Sequence, residues 1–167
     1  MDITIRPARP AEFGAVGDLL VEVYLADGLL TFGENDTYAA ELRKVAHRAE
    51  HAEVLVAVET AGERVLGAVT FAAYGSPYAD LAGPGEGEFR MLAVRAEGRG
   101  QGIGEALVTA CVERARALGL RAIVLSSQPH LLPAHRLYRR LGFARARERD
   151  WDPIPGVTLW AFIREPV

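Results

Sequence analysis

Residues 94–105 read VRAEGRGQGIGE, with glycines at 98, 100, 102 and 104, and ALVTACVERARAL follows directly. The N-terminus of a helix presents unpaired N–H groups and a partial positive charge, so it receives anions. Glycines ahead of it let phosphate oxygens approach the backbone with no Cβ in the way. Arg99 sets a permanent cation inside the loop. Neither common nucleotide fingerprint is present. Counting G-x-G-x-x-G from Gly98 puts Ile103 at the last glycine, counting from Gly100 puts Glu105 there, and Gly-Lys-Ser/Thr occurs nowhere. Taken alone, the loop reads as a phosphate cradle or as a tight structural turn.

Two further patterns carry possible chemistry. HRAEH at 47–51 matches H-x-x-E-H, whose histidines would share a helix face and one zinc ion. Only His130 and His135 remain as further histidines, and a solvated helix face is the preferred reading. Cys111 is the only cysteine, which excludes a disulfide within the chain and a cysteine-based zinc site. It falls on an apolar stripe and reads as a core thiol.

The elements that position these residues follow from periodicity. Alternation over residues 2–6 predicts a strand, and Phe13, Val16, Leu19, Leu20 and Val23 recur at helical spacing between Pro10 and Tyr24. A second helix is expected from about Thr37 to His51. EVLVAVE and RVLGAVTFAAY are β-branched runs about TAGE, a hairpin signal. EFRMLAV is a strand leading into the glycine loop. Ile103, Leu107, Cys111 and Leu118 then mark the buried stripe of a long helix ending near Gly119. RAIVLSS is a strand, AHRLYRRL a short helix closed by Gly142, and the tail reads as two strands flanking a Pro/Gly loop. The order β-α-α-β-β-β-α-β-α-β-β predicts an α/β fold with a mixed sheet.

The 167 residues, with no internal repeat or linker, suit one domain spanning 1–167. A net charge of −3 gives no broad nucleic-acid surface. No apolar run approaches the ~20 residues of a membrane span, and MDITIRPARPAEF lacks the form of a secretory signal. A cytoplasmic protein is expected, with neither membrane nor nucleic acid as a partner.

LAVRAEGRGQGIGEALV, followed by RAIVLSS and AHRLYRRLGF, resembles the GNAT N-acetyltransferase superfamily. Arg99, Gly102 and Gly104 match that family's Arg/Gln-x-x-Gly-x-Gly/Ala signature, and Leu137, Tyr138, Gly142 and Phe143 match its Leu-Tyr…Gly-Phe signature. The resemblance implies a single-domain α/β (α+β) GNAT-like fold. Its mixed, mostly antiparallel sheet would be splayed between strands four and five and flanked by about four helices. It implies acetyl-CoA as co-substrate and no metal. Backbone groups of Leu92, Ala93 and Val94 would pair with the pantetheine arm. Arg99, Gly100, Gln101, Gly102, Ile103 and Gly104 would cradle the pyrophosphate. Many relatives carry Asn where this chain has Leu131, and Ser127, Gln128 or His135 are the candidates to replace its hydrogen bond.

Direct transfer to an amine within a ternary complex requires a neutral nitrogen, a stabilised oxyanion and a proton for the departing thiolate. A lysine-like ammonium has a pKa of ~10.4, so a base or a water relay is required. Within the resemblance, Tyr138 is the candidate acid, its phenol protonated at neutral pH. Glu88 is the candidate base, against the alternative of an ordinary strand-end carboxylate. It lies six residues before Val94, an even spacing that puts both on one face unless a bulge intervenes. Arg90 shares the face and would hold Glu88 ionised or orient an acidic acceptor. The Leu92 N–H is the first candidate for the oxyanion. Asp27, Glu34, Asp36, Asp150 and Asp152 lie in or near loops that commonly wall the acceptor site in this fold, and hint at a cationic acceptor. The expected activity is acetyl transfer to a primary amine of a small molecule or peptide, in a possible homodimer. The alternative is a catalytically silent CoA-binding regulatory module.

Overall fold

The computed structural model describes residues 2–167, apart from the side chain of Glu34. EVLVAVE and VLGAVTFAA form β2 (Glu53–Glu59) and β3 (Val65–Ala73), buried along nearly their whole length because helices cover both faces of the sheet. With β1 (Ile3–Pro7), β4 (Glu86–Val94), β5 (Ala122–Ser127), β6 (Ala144–Arg145), β7 (Trp151–Ile154) and β8 (Val157–Arg164) they make an eight-stranded sheet. Its order is β1-β2-β3-β4-β5-β8-β6, with β7 paired to β8. Every pairing is antiparallel except β4–β5. A parallel pair needs a crossover, which α4 (Ile103–Ala117) supplies.

One face of the sheet packs on α4 and α5 (Leu132–Arg140) through Leu66, Phe89, Leu107, Cys111, Ile123 and Phe162. The other packs on α1 (Phe13–Ala26) and α2 (Thr37–Arg43) through Val16, Leu19, Leu20, Leu42, Val56 and Met91. α3 (Val45–His51) lies beside β2.

The expected helix over 37–51 is two helices, broken at Lys44 (φ −78°, ψ 53°). The break is held from inside. The fully buried Arg48 guanidinium donates to Glu41 O (2.6 Å) and Leu42 O (2.8 Å), satisfying carbonyls that a continuous helix would have bonded internally. Among the described residues the break gives five α-helices, where the sequence showed the second and third as one. Leu118 leaves the buried stripe of α4: it sits at the C-cap, 44% exposed, past the last turn packed on the sheet, and Ala115 takes that place. The tail has three strands, the two-residue β6 preceding the β7–β8 hairpin.

Two irregularities of β4 shape the region between β4 and β5. Ala68 and Thr70 of β3 face Ala93 and Arg90, so two steps on β3 match three on β4, and Met91 takes φ +57°. This β-bulge turns Phe89 toward α4 and both Arg90 and Met91 toward α1. The expectation that Glu88 and Val94 share a face is thereby overturned: the inserted residue shifts the alternation, and Val94 faces α4. The second irregularity is a short register. β4 pairs with β5 only through Glu86–Glu88 against Ala122–Val124, and beyond Glu88 the strands part.

Candidate active site

A cavity of about 360 Å³ opens where β4 and β5 part. Residues from both faces of the sheet line it. Phe89, Leu92, Ser127 and Tyr138 approach from the α4–α5 side, and Glu88, Arg90, Tyr38 and Trp151 from the α1 side.

Tyr138 is held by α5, whose apolar stripe lays it on the core. Its ring meets Phe89 edge-on at 5.8 Å and Phe143 at 6.2 Å. Phe143 N donates to Tyr138 O (2.9 Å), and Gly142 adopts φ +88° to close the helix, so the Leu-Tyr…Gly-Phe residues form one cap. The hydroxyl has no hydrogen-bond partner among the described residues, although the side chain is only 6% exposed. Burial pushes the phenol far up, so it keeps its proton.

Glu88 is 2% exposed. Its Oε1 accepts from Leu81 N (2.7 Å) and Ala82 N (2.9 Å), and Oε2 has no partner among the described residues. Burial raises its pKa, against the two amides and the charge of Arg90. The carboxylate is therefore oriented by one oxygen and basic at the other. Arg90 does not bond Glu88. It donates to Asp80 (2.8 Å), Tyr78 O (3.2 Å) and the Tyr38 hydroxyl (3.4 Å). Burial works against the guanidinium charge, but Tyr38 and Asp80 outweigh it and the pKa is raised.

Arg99, Gly100, Gln101, Gly102, Ile103 and Gly104 do not line the cavity. They form the turn into α4, beyond the end of β4. Gly100 and Gly102 take φ +77° and +76°, a left-handed backbone that favours glycine. The first helical bond runs from Ala106 N to Gly102 O (3.0 Å), which leaves the N–H groups of Ile103, Gly104 and Glu105 without helical acceptors. Arg99 pairs with Asp27 (3.3 Å) and lies close to Val94 O (3.4 Å). Ala93 turns its methyl into the α1-side core and its backbone toward Ala68 of β3, so of the expected 92–94 segment Leu92 and Val94 present backbone groups to the open edge.

Ser127 Oγ lies 3.1 Å from His135 Nε2. His135 is buried, stacked on Trp160 at 5.6 Å, and burial lowers its pKa toward the neutral ring. Gln128 Nε2 reaches Leu29 O (3.3 Å), tying the end of β5 to the chain after α1. Leu131 lines the cavity with hydrocarbon.

Of the acidic loop residues, Asp27, Asp36 and Asp150 are engaged in structural contacts, Asp36 also lines the cavity, and the side chain of Glu34 lies outside the described residues. Asp36 accepts from Tyr38 N (2.9 Å) and Phe32 N (3.1 Å) at the start of α2. Asp150 takes Arg145 (2.7 Å) and Ala161 N (2.8 Å), and Asp27 takes Arg99. Sequence reasoning missed Asp80, which clamps Arg90. It also missed Glu86, a buried carboxylate accepting from Arg149 (2.8 and 3.0 Å) and Gly83 N (2.8 Å). The alternation in GEGEFR was the available signal, since it sets Glu86 and Arg90 on the face of Glu88. His47 bonds the Tyr78 hydroxyl and lies 4.5 Å from the His51 ring, and among the described residues no three potential ligands converge on a metal position.

The sequence profile of the acetyltransferase (GNAT) family matches residues 19–143, spanning both the β4 bulge and the α5 cap. The chain belongs to the GNAT acetyltransferase family. It is an N-acetyltransferase, and acetyl transfer is its chemistry. Over 142 residues it is 36% identical to an uncharacterized N-acetyltransferase of Schizosaccharomyces pombe, covering 83% of this chain and 81% of that protein. Over 92 residues it is 40% identical to the L-methionine sulfoximine/L-methionine sulfone acetyltransferase of Pseudomonas aeruginosa, 54% of this chain and 49% of that one. Its fold matches a phosphinothricin acetyltransferase of Sinorhizobium meliloti in complex with acetyl-CoA, with a TM-score of 0.73, 23% identity, and 99% and 89% of the two chains covered. The acetyltransferase has no helix long and apolar enough to cross a membrane among its described residues.

Proposed function

We propose that this acetyltransferase moves an acetyl group from acetyl-CoA to the primary amine of a small acceptor, by direct transfer in a ternary complex. The observation that carries the reading is the cavity at the splay, lined from both faces of the sheet, where an acetyl donor and an acceptor amine can meet.

The residues present fit acetyl-CoA. Past Glu88 the edge of β4 facing β5 is unpaired, so backbone groups of Leu92 and Val94 are free to pair with an extended amide-bearing arm, while those of Ala93 between them face β3. At the end of that edge, the turn Arg99–Gly104 offers helix N–H groups beside Gly100 and Gly102, which carry no Cβ and face open space. Ser127 supplies a hydroxyl where Leu131 supplies none. Acetyl-CoA bound there supplies an activated acyl group as its thioester.

Glu88 faces the acceptor side and takes the ammonium proton at Oε2, directly or through one water, while Leu81 and Ala82 fix Oε1. The Leu92 N–H is the donor proposed for the carbonyl oxygen as charge develops on it. Tyr138 faces the other side and donates its proton to the departing sulfur. Its high pKa ensures that the proton is present. The solved relative with acetyl-CoA supports the donor. The methionine sulfoximine and phosphinothricin enzymes support a small amine acceptor.

The test is CoA release from acetyl-CoA across a panel of small amines, amino acids and peptides, with acetylated product identified by mass spectrometry. Acetylated product and stoichiometric thiol support the reading. Saturable CoA binding without acetylation of any amine would favour a CoA-binding regulatory module instead.

A further inference from the structure

We propose that the acceptor is an amino carboxylate, its carboxylate received by the Arg90 guanidinium and its amine by Glu88. The inference rests on the acetyl-transfer reading above and names the substrate class of that site.

Arg90 is the one cation among the described residues that line the cavity. Its side chain is 21% exposed, and a guanidinium held so far out of water requires compensation. Asp80 and Tyr78 O engage Nη1 alone. Nη2 has only the long contact to the Tyr38 hydroxyl at 3.4 Å, and Nε has no partner among the described residues. Two fixed bonds thus hold the head of the side chain, while its other edge keeps N–H donors in the fork geometry that matches a carboxylate.

Glu88 and Arg90 are two residues apart on the same side of β4, before the bulge, so they stand about 7 Å apart along the strand. Opposite charges at that separation, each with an unused edge toward one cavity, suit an ammonium and a carboxylate carried on neighbouring atoms. The other lining acids do not compete for Arg90's free edge. Asp36 is committed to the start of α2, and Asp80 already occupies Nη1. A plain amine or a peptide N-terminus carries no carboxylate beside the nitrogen and leaves the free edge of Arg90 unmatched. Tyr24, Trp151, Ile154 and Leu159 wall the remainder, so the acceptor's side chain meets mainly apolar surface.

The test compares amino acids with their carboxamides and matched decarboxylated amines, for example L-leucine, L-leucinamide and isopentylamine, across all side-chain classes with acetyl-CoA. For the best acceptor, the free acid is expected to exceed its amide and amine in kcat/KM by about 10–100-fold, the worth of a charge-assisted hydrogen-bond pair. Arg90→Gln is expected to collapse that ratio, chiefly through KM for the acid, and Arg90→Lys to restore part of it. Because the readout is a ratio within one protein, reduced folding of a variant does not mimic it. Equal use of acid, amide and amine by the unmodified enzyme would overturn the inference, as would a ratio that survives in Arg90→Gln. Both results leave acetyl transfer standing. Absence of acetylation across the whole panel overturns the transfer reading along with it.

Discussion

Glu88 and Tyr138 reach one cavity from opposite faces of the sheet. Phe89, the chain neighbour of Glu88, turns the other way and packs edge-on against the Tyr138 ring at 5.8 Å. A single peptide step on β4 therefore separates the wall that carries the proposed base from the wall that carries the proposed acid. Burial raises the pKa of both groups. For the phenol this secures the proton to be given. For the carboxylate it increases the basicity of the form that takes one.

Tyr138→Phe isolates the proposed acid. The ring packing against Phe89, Phe143 and Phe162 is retained, and the hydroxyl removed has no partner among the described residues. The expected result is kcat reduced by about 10²–10⁴-fold, with unfolding free energy changed by less than about 0.5 kcal/mol. Steady-state kinetics with CoA titration checks it. An unchanged kcat removes Tyr138 from proton transfer.

With Glu88 as the proposed base, the pH profile is expected to carry an acid limb. The base works ionised, so kcat/KM rises with pH through its ionisation. Because burial raises that pKa, the midpoint lies above the ordinary ~4.3 of a glutamate. In Glu88→Gln the limb is expected to vanish, with activity lowered about 10²–10⁴-fold. A limb that stays at the same pH in the variant would assign the base to another group.

How much of this was legible beforehand depends on whether a signal was local. The glycine turn, the β-branched strands and the Leu-Tyr…Gly-Phe cap are set by backbone conformation and periodicity within a few residues, and they appear where the sequence put them. The β4 bulge was not legible, because nothing in FRML distinguishes a strand that keeps its alternation from one with an inserted residue. The bulge is fixed by pairing with β3, some twenty residues earlier in the chain, and it decides which face Val94 takes. The break at Lys44 depends likewise on Arg48 reaching back to two carbonyls from inside the core. The role of Arg90 was half legible. Its face followed from its spacing to Glu88, but its partner Asp80 comes from a loop whose path only the fold determines.

Gly102 tests the turn into α4. Its φ of +76° is unfavourable for any residue with a Cβ, although nothing lies within 4 Å of the position a Cβ would take. Gly102→Ala is therefore expected to act through backbone strain alone, costing about 1–2 kcal/mol and weakening CoA binding as the turn re-forms. Gly14 in α1 serves as the contrast, with equally open space and a helical backbone. Gly14→Ala should raise stability by about 0.5–1 kcal/mol and leave CoA affinity alone. Denaturant melts with calorimetric CoA titration separate the cases. Intact CoA affinity in a destabilised Gly102→Ala would mean that the turn does not hold the ligand.

Glu86 and Glu88, two residues apart, are expected to respond to pH with opposite signs. Arg149, then the Gly83 amide and the charges of Arg149 and Arg121, hold the Glu86 carboxyl below its usual pKa against the cost of burial. A depressed folded pKa contributes stability that is present above the unfolded value, ~4.3, and is lost as pH falls through the folded one. Glu88 is raised, so its proton is bound more tightly in the folded state. Its ionisation costs stability as pH climbs from the unfolded value to the folded one. At neutral pH, Glu86→Gln should therefore destabilise by about 1–3 kcal/mol, the worth of hydrogen bonds to charged groups, and the deficit should shrink as pH drops below ~4. Glu88→Gln, whose amide oxygen still accepts from Leu81 and Ala82, should be as stable as the unmodified protein or more so at neutral pH and lose that advantage in acid. Thermal melts of the three proteins from acid to neutral pH read both signs at once. Glu86 also fastens the start of β4, where it pairs with β5, to the segment before β7, so loosening it should widen the gap where Glu88 stands. A fall in kcat/KM that tracks the lost stability of Glu86→Gln would show the site's geometry depending on that clamp, and parallel melting curves for all three proteins would discard it.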